Sequence, residues 1–246
     1  MQRLTAVVRE RGDLDEGDVR RMYALFEQYY EAVPLQTFQT DLAAKSHVIE
    51  LREEQHLRGF STIALIDFEF GGMPRRAIFS GDTIIDHQCW GGQTLPVAFC
   101  EFAGRVHADD PRTLLYWFLI TKGYRTYRYL PLFARRYYPH PEQSTPPEEQ
   151  ACMDALARLC FGEAYAPERG VLHFPVSRGH LRAQWADVRE GVSRRADVRL
   201  FLERNPGYRE GDELVCITRL CPGNLKSFAR RAFEKGMHDA ARLPVL

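Results

Sequence analysis

Hydrophobic and polar positions follow two periods along the chain, and the changes between them mark the elements. Residues 4–9 (LTAVVR) form a short β-prone run, closed by the turn residues Gly12, Asp13, Asp15, Gly17 and Asp18. Val19, Met22, Tyr23, Phe26 and Tyr30 then recur at helical spacing. Asp18 is the expected N-cap and Pro34 the stop. A second short helix is expected over 35–45. Strand patterns follow at 47–52, 60–70 and 76–86, and Gly71-Gly72-Met73-Pro74 between the last two predicts an antiparallel hairpin. After Gly91-Gly92 the period changes again. Leu95, Val97, Ala98, Phe102, Ala103 and Val106 suit a helix with Pro96 in its first turn. The unbroken apolar run 113–121 (TLLYWFLIT) fits a strand buried on both faces.

Residues 124–138 mix tyrosines with arginines and read as one helix disturbed by Pro131. The segment 139–150, with four prolines, is the clearest loop. A helix is expected over 149–161, strand-like pieces at 171–175 and 213–219, a short helix before the Asn205-Pro206-Gly207 turn, and a last helix over 222–238. The expected class is α/β (α+β). Residues 1–139 would form the core, and 140–246 a linker plus a segment completing the same sheet, as one compact domain.

Composition narrows the function. Lysine plus arginine and aspartate plus glutamate are equal at 33 each, which argues against broad nucleic-acid binding, since that needs a basic excess. No leader-like apolar stretch and no apolar run of membrane-spanning length is found, so the expected location is cytoplasmic, without a membrane span. The six cysteines include no C-x-x-C pair and read as reduced thiols, so no metal site is expected.

The order β–α–α–β–β–β–α–β–α and one loop carry a resemblance. Gln88-Cys89-Trp90-Gly91-Gly92-Gln93 lies between a predicted strand and a predicted helix. This resembles the Q/R-x-x-G-x-G/A loop of the GNAT N-acyltransferases, in which backbone N–H groups at a helix N-terminus grip the cofactor pyrophosphate. Gln88 and Gly91 match; Gln93 stands where the pattern has a small residue. The resemblance covers roughly residues 4–139. It implies a mixed, mostly antiparallel sheet flanked by helices, with a longer C-terminal part. It also implies transfer of an acyl group from an acyl-CoA or acyl-phosphopantetheine thioester to a small-molecule amine. Longer relatives handle larger acyl groups, some delivered on an acyl carrier protein.

The resemblance also implies roles for particular residues. Gln88, Gly91, Gly92 and Gln93 would hold the donor. Arg125 and Arg128, neighbours on one helix face, would clamp a nucleotide phosphate, or with Arg135 and Arg136 dock an acidic carrier protein. A tyrosine after the fifth strand, Tyr129 or alternatively Tyr127, would protonate the leaving thiolate. Candidate bases are Asp82, Asp86 and His87 at the end of the third meander strand, with Glu69 on its neighbour; histidine titrates in a suitable range. Cys89 beside His87 offers a nucleophilic relay instead. Two other readings stay open. One is an inactive ligand-binding module of the same fold, suggested by Gln93. The other is nucleic-acid binding through the 124–138 helix.

Overall fold

The computed structural model describes residues 4–242. In chain order the elements are β1 (Leu4–Glu10), α1 (Glu16–Phe26), β2 (Tyr30–Glu31), α2 (Leu35–Ala43), β3 (His47–Glu53), β4 (His56–Phe70), β5 (Met73–Ile85), α3 (Thr94–Asp109) and β6 (Leu114–Thr121). They continue with α4 (Tyr124–Tyr127), α5 (Tyr129–Phe133), α6 (Pro147–Phe161), β7 (Tyr165–Ala166), β8 (Val171–Leu172), β9 (His180–Leu181) and α7 (Ala183–Ala186). The last are α8 (Glu190–Ser193), α9 (Ala196–Arg204), β10 (Glu213–Arg219) and α10 (Ser227–Arg242).

Eight strands form one sheet in the order β1-β3-β4-β5-β6-β10-β8-β7, and β2 pairs with β9 apart from it. Every adjacent pair is antiparallel except β5 and β6, which run parallel across the α3 crossover. The architecture is therefore α/β (α+β): a mixed, mostly antiparallel sheet with helices on both faces. The helix-pair-then-meander order implied by the GNAT-like resemblance is the order observed. Residues beyond 140 extend the sheet, because β10 lies against β6 and carries β8 and β7.

The apolar run of β6 serves both faces. Tyr116 and Phe118 pack with Met153 and Leu156 of α6. Trp117 and Leu119 pack with Leu95, Phe99 and Phe102 of α3 and Phe233 of α10. The helices α1 and α2 cover the β3–β5 end on the α6 side through Met22, Phe26, Phe38 and Leu42. α3 and α10 touch backbone to backbone. A Cβ at Gly104 would strike the carbonyl oxygen of Phe233, and one at Gly236 that of Glu101.

Several boundaries differ from expectation: α1 ends at Phe26, so Tyr30 lies in β2 and not on that helix, α10 starts at Ser227 and not at 222, and three further differences have local reasons. Asp15, not Asp18, caps α1: its carboxylate accepts from the Asp18 N–H at 2.7 Å, and the Asp18 carboxylate accepts from the Asp15 N–H at 3.3 Å. This reciprocal box places Asp18 three residues inside the helix. The tyrosine-arginine stretch is not one helix but α4 and α5. Pro131 has no N–H for the Tyr127 carbonyl and its ring crowds that carbonyl, so the helix breaks after Tyr127. Arg135 and Arg136 thus leave the helix and pair their backbone N–H groups with Asn224. α6 starts two residues early because Pro147 suits the first helical turn.

Candidate active site

The sheet is interrupted where its one parallel pair ends. β5 pairs with β6 from Arg75↔Leu114 to Ser80↔Leu119 and no further. On its other side, β5 pairs with β4 through Ile63↔Ser80 and then Ser61↔Thr83. Gly81 and Asp82 together face only Thr62, which is a bulge, and a bulge bends its strand and re-aims a side chain. Gly81 is required there, because a Cβ would lie 2.7 Å from both Lys45 Cε and Thr62 Oγ1. Beyond the bulge, the facing edges of β5 and β6 have no strand partner across the gap. Their main-chain groups are left to a ligand or to water.

A cavity opens on each side of this gap, and Tyr30, Thr83 and Thr126 line both. The first, of about 510 Å³, lies on the α3–α4 side beneath the glycine loop. Gly91, Gly92 and Gln93 line it, with Trp90, Arg125, Arg128, Tyr129 and Trp185. Gly91 takes φ +85°, a conformation that favours glycine. It turns the chain into α3, whose first N–H groups have no intrahelical partner. Trp90 Nε1 donates to the Ile85 carbonyl at 2.8 Å, fixing the loop to the end of β5. The Arg125 guanidinium lies 4.8 Å from the Trp90 ring and 4.7 Å from the Tyr124 ring and donates to the Trp185 carbonyl. Arg128 Nε is 3.5 Å from the Asp197 carboxylate. Burial raises the Tyr129 hydroxyl above its ordinary pKa, so it holds its proton.

The second cavity, of about 450 Å³, lies on the α2–α6 side. Asp41, Asp82, Lys122, Arg178 and Glu213 line it, beside Phe79, Phe161 and Phe174. Two ion pairs hold most of its charge: Lys45 with Asp41 at 2.7 Å, and Lys122 with Glu213 at 3.6 Å. Asp82 is half-buried and has no cation within 4 Å among the described residues. Burial, and then the Asp41 carboxylate, push its pKa up to about 7, while Lys45 and Lys122 oppose the rise.

The other sequence candidates fall outside both cavities. Asp86 accepts from Arg58 at 3.0 Å and caps the 3-10 turn His87–Cys89 by accepting from the Gln88 N–H at 3.0 Å. Gln88 is exposed on that turn. His87 lies among Tyr29, Trp90 and Trp185, with its Nδ1 3.3 Å from the Tyr29 hydroxyl. Glu69 is opposite Pro74 beside the β4–β5 turn, at the far end of these strands from the gap. Tyr127 is fully buried and donates to the Pro139 carbonyl at 2.7 Å. The Cys89 thiol is pushed up by burial and by the Asp86 carboxylate, against the direction a nucleophilic relay needs. Asp41, Lys122, Arg178, Glu213, Tyr30 and Trp185 were not singled out from sequence. For Asp82 a local signal exists, the isolated Gly81 within a strand pattern, which marks a bulge.

No protein-family model matches the sequence, and no curated protein sequence does. Several solved structures are similar in fold. One is a conserved protein from Enterococcus faecalis V583 described as a probable N-acyltransferase, with 14% identity over 55% of this chain and a TM-score of 0.40. The match spans 33% of that protein's length. A putative GNAT-family acetyltransferase from Desulfovibrio desulfuricans has 12% identity over 54% of this chain and 88% of its own, with a TM-score of 0.39. Glucosamine-6-phosphate N-acetyltransferase from Arabidopsis thaliana has 16% identity over 47% of this chain and 81% of its own, with a TM-score of 0.34.

Proposed function

We propose that the protein is a GNAT-like N-acyltransferase that moves an acyl group from a phosphopantetheine thioester to an amine. The observation that carries this reading is the gap in the sheet with a cavity on each side. One cavity lies under the glycine loop, and the other holds an unpaired carboxylate that titrates near neutrality.

In this reading the donor occupies the cavity on the α3 side. Its pyrophosphate meets the N–H groups at the start of α3, with Gly91 and Gly92 allowing close approach. Arg125 and Arg128 at the same cavity supply positive charge for a nucleotide phosphate. The pantetheine arm is extended and carries amides, so the unpaired edges of β5 and β6 suit it as an added strand. In this reading, N–H groups on the free edge of β5 polarise the thioester carbonyl. The donor is acyl-CoA or the same arm on an acyl carrier protein.

The amine enters from the other face. An ammonium passes one proton to the Asp82 carboxylate, and the neutral amine attacks the thioester carbon. The C–N bond forms, the C–S bond breaks, and Tyr129 protonates the departing sulfur. The second nitrogen proton restores Tyr129, the proton on Asp82 passes to solvent, and the products are an amide, a thiol and that one proton. Asp82 suits the base role because its pKa lies near the working pH, and Tyr129 suits the acid role because burial keeps it protonated.

The test is thiol release by the purified protein across acyl-CoA chain lengths with a mixture of amines, followed by carrier-bound thioesters. Release that requires both donor and amine is expected. No release with any donor, carrier-bound ones included, would overturn the assignment.

A further inference from the structure

The charges in the acceptor cavity do not balance one by one. Asp41 is matched by Lys45 and Glu213 by Lys122. Two charges of opposite sign are left without an ion-pair partner within 4 Å among the described residues: the Asp82 carboxylate and the Arg178 guanidinium. Arg178 lies with its guanidinium 4.5 Å from the Phe174 ring, and its carbonyl accepts from Lys122 Nζ at 3.0 Å. Arg178 is therefore an exposed cation held against an aromatic face at the edge of the cavity, where its charge is felt by Glu213 but no carboxylate lies within 4 Å of it among the described residues.

The third property of the cavity is apolar. Phe79 and Phe161 meet with centroids 5.8 Å apart, and Phe161 and Phe174 with centroids 6.3 Å apart. Ile120 and Val33 line the same cavity and add to its apolar surface. The volume, about 450 Å³, falls within the range of small-molecule sites.

From this juxtaposition we infer that the acceptor is a zwitterion, an α-amino acid with an apolar or aromatic side chain, whose amine faces Asp82, whose carboxylate faces Arg178 and whose side chain lies on the phenylalanine wall. A simple amine would leave Arg178 unanswered, and a polyamine would bring a second cation toward it. Two opposite charges at one cavity, neither committed to an ion pair, favour the ligand that supplies both counter-charges. The inference rests on the N-acyltransferase reading and adds the substrate class to it.

The experiment compares three acceptors at saturating acetyl-CoA: L-phenylalanine, L-phenylalanine amide and phenethylamine. The first carries the carboxylate, the second neutralises it and the third lacks it. 2-Aminoethyl phosphate is included to separate a carboxylate from a phosphate as the anion recognised. L-Phenylalanine is expected to exceed the amide and phenethylamine by roughly ten- to hundred-fold in kcat/KM, mostly through KM, as one charge-assisted contact allows. Arg178→Gln should collapse that ratio. Equal kcat/KM for the three phenyl compounds would overturn the inference and leave the transferase reading intact. So would an unchanged ratio in Arg178→Gln, or a preference for 2-aminoethyl phosphate. Thiol release that no amine in any class elicits would remove both.

Discussion

The sharpest consequence concerns Asp82→Asn, which keeps the shape of the side chain and removes the proton acceptor. Two effects of opposite sign follow. Loss of a general base costs roughly 10²- to 10⁴-fold in kcat/KM. The wild-type value should rise with pH through about 7, where Asp82 ionises, and the variant should lose that rise. Stability should move the other way. A carboxyl displaced from 3.8 to about 7 is disfavoured as a carboxylate in the fold. Its contribution to stability is complete below about pH 3.8 and is lost as pH climbs through about 7. At about 1.4 kcal/mol per pH unit the ceiling is ~4 kcal/mol. Asp82 is only half-buried, so solvent screens part of that, leaving an expected gain of ~1–3 kcal/mol for the variant at pH 8 and little at pH 4. For a chain of this length that is a rise of roughly 2–12 °C in Tm at pH 8. Thiol release from pH 5.5 to 8.5, with thermal unfolding at pH 4 and pH 8, reads both. An active variant with an unchanged pH profile would refute the assignment of the base. Equal stability changes at the two pH values would refute the electrostatic account.

Tyr129→Phe removes a hydroxyl at the α3-side cavity and, on the proposed mechanism, should lower kcat by roughly ten-fold or more with little change in donor KM; a fall in affinity alone would make the ring a packing element. Gly91→Ala puts a Cβ on a residue at φ +85° and should cost ~1–2 kcal/mol while raising the donor KM; an unchanged KM would place the pyrophosphate elsewhere. Tyr127→Phe leaves the Pro139 carbonyl without its partner and should cost ~1–3 kcal/mol in chemical denaturation; kcat per folded molecule should stay at the wild-type value, and a loss of kcat would give Tyr127 a part in the chemistry.

The sheet core and the glycine loop were legible in the sequence because both are local signals. The run 113–121 had to be buried on both faces, and the Gly91-Gly92 turn had to precede a helix. The chemistry was less legible. His87 and Asp86 adjoin the loop in sequence, but the capped turn His87–Cys89 carries them outside the cavities. Asp82 gains its place from a bulge in the pairing with β4, and its proton affinity from burial and then from Asp41 on α2. Arg178 and Glu213 reach the same cavity from more than 90 residues further along the chain than Asp82. No spacing rule links such positions, since sheet topology alone brings them together. The 124–138 stretch failed for a local reason: one proline outweighed a good helical pattern.

The contact between α3 and α10 sets an order on assembly. The helix α3, whose N-terminus would receive the donor's phosphates in the proposed reading, packs against α10 through two glycines that leave no room for a side chain. A ribosome-bound chain that has not yet released residues 227–242 therefore has its glycine loop but not the packed support that fixes the loop's direction. The final direction of the glycine loop should therefore be set in one step, by the docking of α10.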